Sequence, residues 1–298
     1  MENCRSSETI RETLITEFNF TDYIQFGAPN HKSFIDTTFL EWFIGFFEAE
    51  GCFLIWYTKN NSKRFGIEIT QKDPKLMYKI KKNLGFGRVT EINFKDNKKY
   101  WRFYSSNFEN LCRLIILFNG NLITSNKNIQ FKLWINEINK IKNKAFIVLE
   151  RNLEPSFNNS WLSGFLEGDG GFYAKQKNFI RINKDGSKAY NIKMKFYITQ
   201  KNEEKLLIKI KELLNISTNI YKISNNISNV KYNRLETSKL ESHLLLIKYL
   251  DNYPFLGKRF ITFSRWKRLL GYRVNKYPIT PKSIIKLKRL ILETKNIN

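Results

Sequence analysis

Hydrophobic and polar positions along this chain change period in a fixed order. In "TTFLEWFIGFFEAEG" (37–51) the apolar residues follow a helical stripe, with Thr37 or Thr38 as the expected N-cap, Glu41 in the first turn and Gly51 as the stop. "CFLIWY" (52–57) and "KRFGIEITQ" (63–71) then read as strands joined by the turn "TKNNS". "DPKLMYKIKKNLG" (73–85) opens on Asp-Pro, carries apolar residues at 76, 77, 80 and 84, and closes on glycine, which predicts a helix. "GRVTEINF" and "KYWRFYS" form a second hairpin around "KDNK", and two helices follow over 107–118 and 127–142.

The second half runs through the same order. Asn159 or Ser160 is placed to cap a helix reaching Gly168, and strands follow at about 171–182 and 190–199, separated by "NKDGSKA". "NEEKLLIKIKELL" (202–214) is a helix with Leu206, Leu207, Ile210, Leu213 and Leu214 on one side. "NIYKIS" and "VKYNRLET" make a hairpin around "NNISN", with helices at 239–250 and 262–271. Pro278 and Pro281 precede a last helix at about 282–293. Gly51 matches Gly170, 119 residues on, and Gln71 of "ITQK" matches Gln200 of a second "ITQK", 129 on, so the second half carries ten extra residues in its first hairpin. Repetition at this scale means duplicated domains. The reading is an α+β chain with a polar arm or leader (1–36), a first lobe (37–142), a linker (143–157) and a second lobe (158–298).

Charge narrows the function. Lys and Arg number 51 against 27 acidic residues among 298, a formal charge of +24. Such a field favours a polyanion, either nucleic acid or an acidic membrane surface. No run of 18 or more apolar residues is present, which speaks against a spanning helix. The first 20 residues do not match a secretory signal and are acidic for an organellar transit peptide. Cys4, Cys52 and Cys112, with His31 and His243, fit neither a disulfide framework nor a zinc finger, as expected of a reducing intracellular compartment. Heavy use of Asn, Lys, Ile and Phe is compatible with AT-rich coding DNA, as in organellar genomes and in many bacteria.

Chemistry concentrates where "FIGFFEAEG" (43–51) and "LSGFLEGDG" (162–170) end. Gly45 and Ala49, like Gly164 and Gly168, lie four apart on one helical face, where small residues let two helices pack closely. The spacing alone also fits two ordinary core helices in separate domains. Glu50 and Asp169 weigh toward the paired seam: each sits at the C-terminal end of its helix, where the helix dipole disfavours negative charge. Parallel packing would bring both acids to one end of the seam, where only a bound cation lets both stay ionised. Mg²⁺ takes hard oxygen ligands, so paired carboxylates in so basic a protein point to metal-assisted phosphodiester hydrolysis.

These two segments resemble the duplicated signature of the LAGLIDADG homing endonucleases, and the repeat covers nearly everything from residue 37 onward. The resemblance implies two pseudosymmetric αββαββα lobes with curved antiparallel sheets laid into the DNA major groove. It also implies a site-specific double-strand cut in a long asymmetric target, made by a single-chain, monomeric enzyme. Intron-encoded homing in a mitochondrial or other organellar matrix goes with it. Carried over by position, Glu50 and Asp169 bind the metal, Mg²⁺ by expectation, with Ca²⁺ expected to support binding without cleavage. Glu48 and Glu167 match the acid position that does not usually touch metal. Gln71 and Gln200 match a peripheral glutamine that positions water or phosphate, though an outward glutamine at a strand end would look the same. "YPFLGKRF" resembles the segment bearing an active-site lysine, which selects Lys258, with Arg259 as its possible replacement; Lys127 of "GNLITSNKN" is the counterpart. A solvated phosphate contact explains either lysine equally well. Some relatives act as splicing maturases, so intron RNA is the alternative partner, and a non-catalytic DNA-binding protein is a further one.

Strand alternation nominates the groove-facing side. Arg64, Glu68 and Thr70 oppose Phe65, Ile67 and Ile69, while Lys193, Lys195 and Tyr197 oppose Ile192, Met194 and Phe196. Arg88, Thr90, Arg102, Lys231, Asn233 and Arg234 complete the polar-face candidates.

Overall fold

The computed structural model describes residues 17–93, 99–182, 184, 186, 188–224, 231–275 and 279–295. "KDNK" and "NNISN", alternate residues of "NKDGSKA", Pro278 and residues 1–16 of the expected arm lie outside them.

The first lobe runs α1 (Thr37–Glu50), β1 (Gly51–Tyr57), β2 (Lys63–Gln71), α2 (Pro74–Leu84), β3 (Arg88–Asn93), β4 (Lys99–Ser105), α3 (Phe108–Phe118) and α4 (Ser125–Lys142). The second repeats it as α5 (Trp161–Asp169), β5 (Gly170–Ile182), β6 (Lys188–Gln200), α6 (Glu204–Leu213), β7 (Tyr221–Ser224), β8 (Lys231–Thr237), α7 (Leu240–Asn252) and α8 (Arg259–Val274). It adds α9 (Pro281–Lys295). Each lobe holds one antiparallel four-stranded sheet, ordered β1-β2-β4-β3 and β5-β6-β8-β7.

Local chemistry explains the helix boundaries. Asp36, rather than Thr37 or Thr38, caps α1: its carboxylate accepts from Phe39 N at 3.1 Å. Asp73 caps α2 with Pro74 in the first turn, and Gly85 closes it with φ of 80°, a left-handed value that glycine adopts without strain. The inner face of the first sheet buries Phe65, Ile67, Ile69 and Phe103; that of the second buries Phe172, Met194, Phe196, Ile198 and Leu235. These faces pack on the helices, leaving the opposite faces to solvent. Before α1, Phe20 and Tyr23 are buried, and Asn19 N donates to Asn121 Oδ1 at 3.0 Å, so residues 17–36 dock on the first lobe. Between the lobes, Asn119 pins the linker by donating to Ile147 O at 2.9 Å and accepting from Leu149 N at 2.8 Å.

Candidate active site

Two glycines set the distance between lobes. A Cβ added at Gly45 would stand 2.1 Å from Trp161 O, and one at Gly164 would stand 1.9 Å from Trp42 O. α1 and α5 therefore touch backbone to backbone, as the matched small residues predicted. Near the far end, a Cβ at Gly168 would lie 2.5 Å from Ala49 Cβ and 2.8 Å from Glu50 Cγ. Glycine inside a helix costs roughly 1 kcal/mol against alanine, and this close approach is what the cost secures. Stacked Trp42–Phe46 and Trp161–Phe165 rings, with centroids 4.9 Å apart in both lobes, flank the seam.

The seam delivers Glu50 and Asp169 to one end of the paired helices. Gln200 Nε2 donates to Asp169 Oδ2 at 2.5 Å, and Gln71 makes the matching bond to Glu50. Both glutamines come from the last residue of the second strand of their sheets, on the core-facing side. Burial raises the Glu50 carboxyl above its ordinary value, against the pull of Gln71, Arg259 and Lys127. Asp169 is pushed up to about 7, by burial first and by the charge of Glu50 second. Two oxygen donors that resist ionising together are a site short of positive charge. Among the described residues no three His, Cys, Asp or Glu side chains converge.

Glu48 and Glu167 point away from that pair and serve as braces. Glu48 accepts from Ile123 N at 2.8 Å and Thr124 N at 2.6 Å, and from Trp161 Nε1 of the opposite lobe. Glu167 accepts from Leu256 N at 2.6 Å and Gly257 N at 3.2 Å. Burial pushes both carboxyls up to about 7. Each brace holds the loop that feeds a helix, α4 or α8, carrying a cation back to the acids.

Those cations differ. Lys127 Nζ donates to Gly51 O at 2.6 Å, and burial lowers its pKa. In the second lobe Lys258 is exposed on the rim of a cleft of about 380 Å³ lined also by Glu50, Gln71, Glu167 and Arg259. Arg259 makes the inward contacts: Nε donates to Glu167 O at 2.6 Å, Nη2 to Gly168 O at 2.9 Å, and Nη1 to Gly170 O. Its guanidinium satisfies the carbonyls that end α5. The helix begins at Arg259 rather than near 262, which turns this side chain, and not Lys258, toward the acids.

On the outer faces, Arg64, Arg88, Thr90 and Lys193 are exposed, and Thr70 is half-buried. Arg102 pairs with Glu68 at 3.1 Å. Lys195 and Arg234 share Glu236, and the Arg234 guanidinium lies 3.9 Å from the centre of the Tyr197 ring. Asn233 corrects the expectation: it is buried, on the same side of β8 as Leu235, and faces the core. Lys231 shares that side of the strand and is exposed at its end. Sequence reasoning also passed over Trp161 as a partner of Glu48, and Glu203, whose "NEE" context looks like an ordinary solvated helix start.

The chain matches the family model described as "LAGLIDADG endonuclease" over residues 43–138 and 162–270, more than half its length. It is 30% identical over 262 residues to "Probable intron-encoded endonuclease 4" of Neurospora crassa, covering 88% of this chain and 44% of that protein. It is 31% identical over 270 residues to "Probable intron-encoded endonuclease Cox1-I1b" of Schizosaccharomyces pombe, covering 80% of this chain and 65% of that protein. The chain thus spans about half to two thirds of these relatives. Among solved structures, the LAGLIDADG meganuclease I-CpaMI bound to uncleaved DNA superposes with a TM-score of 0.66 at 19% identity, over 85% of this chain and 98% of that one. Two copies of the signature, two matching sheets and a glycine seam ending in paired acids lead to one assignment: the chain belongs to the LAGLIDADG endonuclease family.

Proposed function

We propose that this protein is a site-specific DNA endonuclease that hydrolyses both strands of a duplex with divalent metal, Mg²⁺ by preference. The observation that carries this reading is the delivery of Glu50 and Asp169 to one end of the seam, in a chain of charge +24. The donors are hard oxygens, and burial and mutual repulsion resist their joint ionisation, which fits a site completed by a hard cation. Glu50 and Asp169 would hold the metal, which when bound supplies Lewis acidity toward a phosphate and lowers the pKa of water. Gln71 and Gln200 orient those carboxylates and leave their remaining amide groups to position water or phosphate. Lys127 and Arg259 keep positive charge beside the acids without displacing them, where it can offset charge developing on a phosphate. Arg64, Arg88, Arg102, Lys193, Lys195 and Arg234 provide the outer faces with cations for the groove, mostly to phosphates and partly to base edges.

One chain holds both acids, which supports action as a monomer. Among the described residues no helix is long and apolar enough to cross a membrane. Intron homing is the setting that goes with this activity, and the relatives named as intron-encoded endonucleases support an intron-encoded origin. The test is a cleavage selection on randomised and host-derived DNA with Mg²⁺, run in parallel with Ca²⁺. Cutting at one long site with Mg²⁺, and binding alone with Ca²⁺, is expected; binding without cutting under any divalent cation would overturn the enzymatic reading.

A further inference from the structure

Glu203 stands at the N-cap of α6 yet makes no side-chain bond to that helix. Its carboxylate crosses to the other lobe and accepts from the first turn of α4, from Asn126 N at 2.6 Å and Ser125 N at 3.2 Å. Asn126 Nδ2 crosses in return to Lys201 O at 2.7 Å. Glu203 is 3% exposed. The equivalent N-cap residue of the first lobe, Asp73, accepts from Lys75 N of its own helix at 3.1 Å. Its Oδ2 lies 3.5 Å from where a Cβ at Gly257 of the second lobe would stand, but among the described residues no hydrogen bond to Asp73 crosses between the lobes. A buried carboxylate at a helix N-terminus satisfies free N–H groups and meets the positive end of the dipole, so the contact is directional as well as polar. The residue after Asn126 is Lys127, whose ammonium reaches Gly51 O. Three residues before Glu203 is Gln200, which holds Asp169. One short segment at the end of β6 therefore touches both halves of the site.

We propose that Glu203, with Asn126, is a clasp between the lobes that positions Lys127 against the Glu50 side of the active site. The catalytic consequence rests on the endonuclease reading; the clasp itself does not. Glu203→Gln keeps the shape and removes one of the two acceptors. Ser125→Pro removes one donor at the first helical position, where proline is tolerated. Thr124 before it is already extended, at φ −73° and ψ 137°.

Two measurements test the clasp. Amide exchange is followed at the first turn of α4 and, as reference, at the start of α8. Single-turnover cleavage of each strand is followed on the duplex recovered by selection, for wild type, both variants, Lys127→Ala and the Glu203→Gln/Lys127→Ala double variant. Both clasp variants should speed exchange at Asn126 by about 10-fold or more and leave α8 unchanged. Each should slow the same strand that Lys127→Ala slows, by about 10-fold, and the double variant should be no slower than Lys127→Ala alone. Unchanged exchange, equal slowing of both strands, or full additivity would overturn the clasp. A wild type that cuts no DNA would sink the endonuclease reading instead, and the exchange comparison would still decide whether Glu203 holds α4.

Discussion

Trp42 and Gly164 meet through their backbones: a Cβ at position 164 would fall 1.9 Å from the Trp42 carbonyl oxygen. Neither atom can yield without moving a helix. Gly164→Ala should therefore lower stability by about 3 kcal/mol, at the upper end of ordinary overpacking. Denaturant unfolding checks this, and a loss under about 1 kcal/mol, no more than a change in helix propensity, would mean that the helices do not touch there.

Much of this contact was legible beforehand. The four-residue spacing of Gly45 with Ala49, and of Gly164 with Gly168, carries its own geometry, and the acids at the helix ends single out the seam. Positions that one residue's shift can move were less legible. Asp36 lies one place before the two threonines that looked like caps. Asn233 and Arg234 were both assigned to the polar face, but adjacent strand residues point to opposite sides, and the burial of Leu235 places Asn233 on the core side. Lys258 and Arg259 are adjacent cations, and only the true start of α8 separates them. Glu203 was out of reach, because its partners lie 77 and 78 residues away in the other lobe.

Arg259 and Lys258 should respond very differently to substitution. Arg259 spans three carbonyls with a planar fork that lysine cannot reproduce. Arg259→Lys should cut the cleavage rate by about 10- to 100-fold. Lys258→Ala, removing an exposed side chain, should cost no more than about 3-fold. Single-turnover kinetics at saturating protein compares them; the reverse ranking would restore Lys258 to the inward role.

His243 should make the fold acid-sensitive. It is fully buried, with its ring against Trp266 and Nε2 at 3.2 Å from Thr237 O, and burial depresses its pKa from 6.5 to about 4. The unfolded chain therefore binds this proton more readily, and stability falls as pH drops below 6.5 toward 4, by about 3 kcal/mol in all. Glu48, Glu167 and Asp169, with raised pKa values, pull the opposite way. The informative quantity is thus the difference between wild type and His243→Gln across pH 4 to 7. That difference should shrink as the medium is acidified. A pH-independent difference would mean that the imidazole titrates normally in the fold.

The pairing of Glu50 with Asp169 is best tested by strand-resolved cleavage of a selected target in Mg²⁺ by Glu50→Gln and Asp169→Asn, beside DNA binding in Ca²⁺. Each variant should bind DNA as wild type does and yield no double-strand breaks. Undiminished cutting by both would contradict the carboxylate site at the end of the seam.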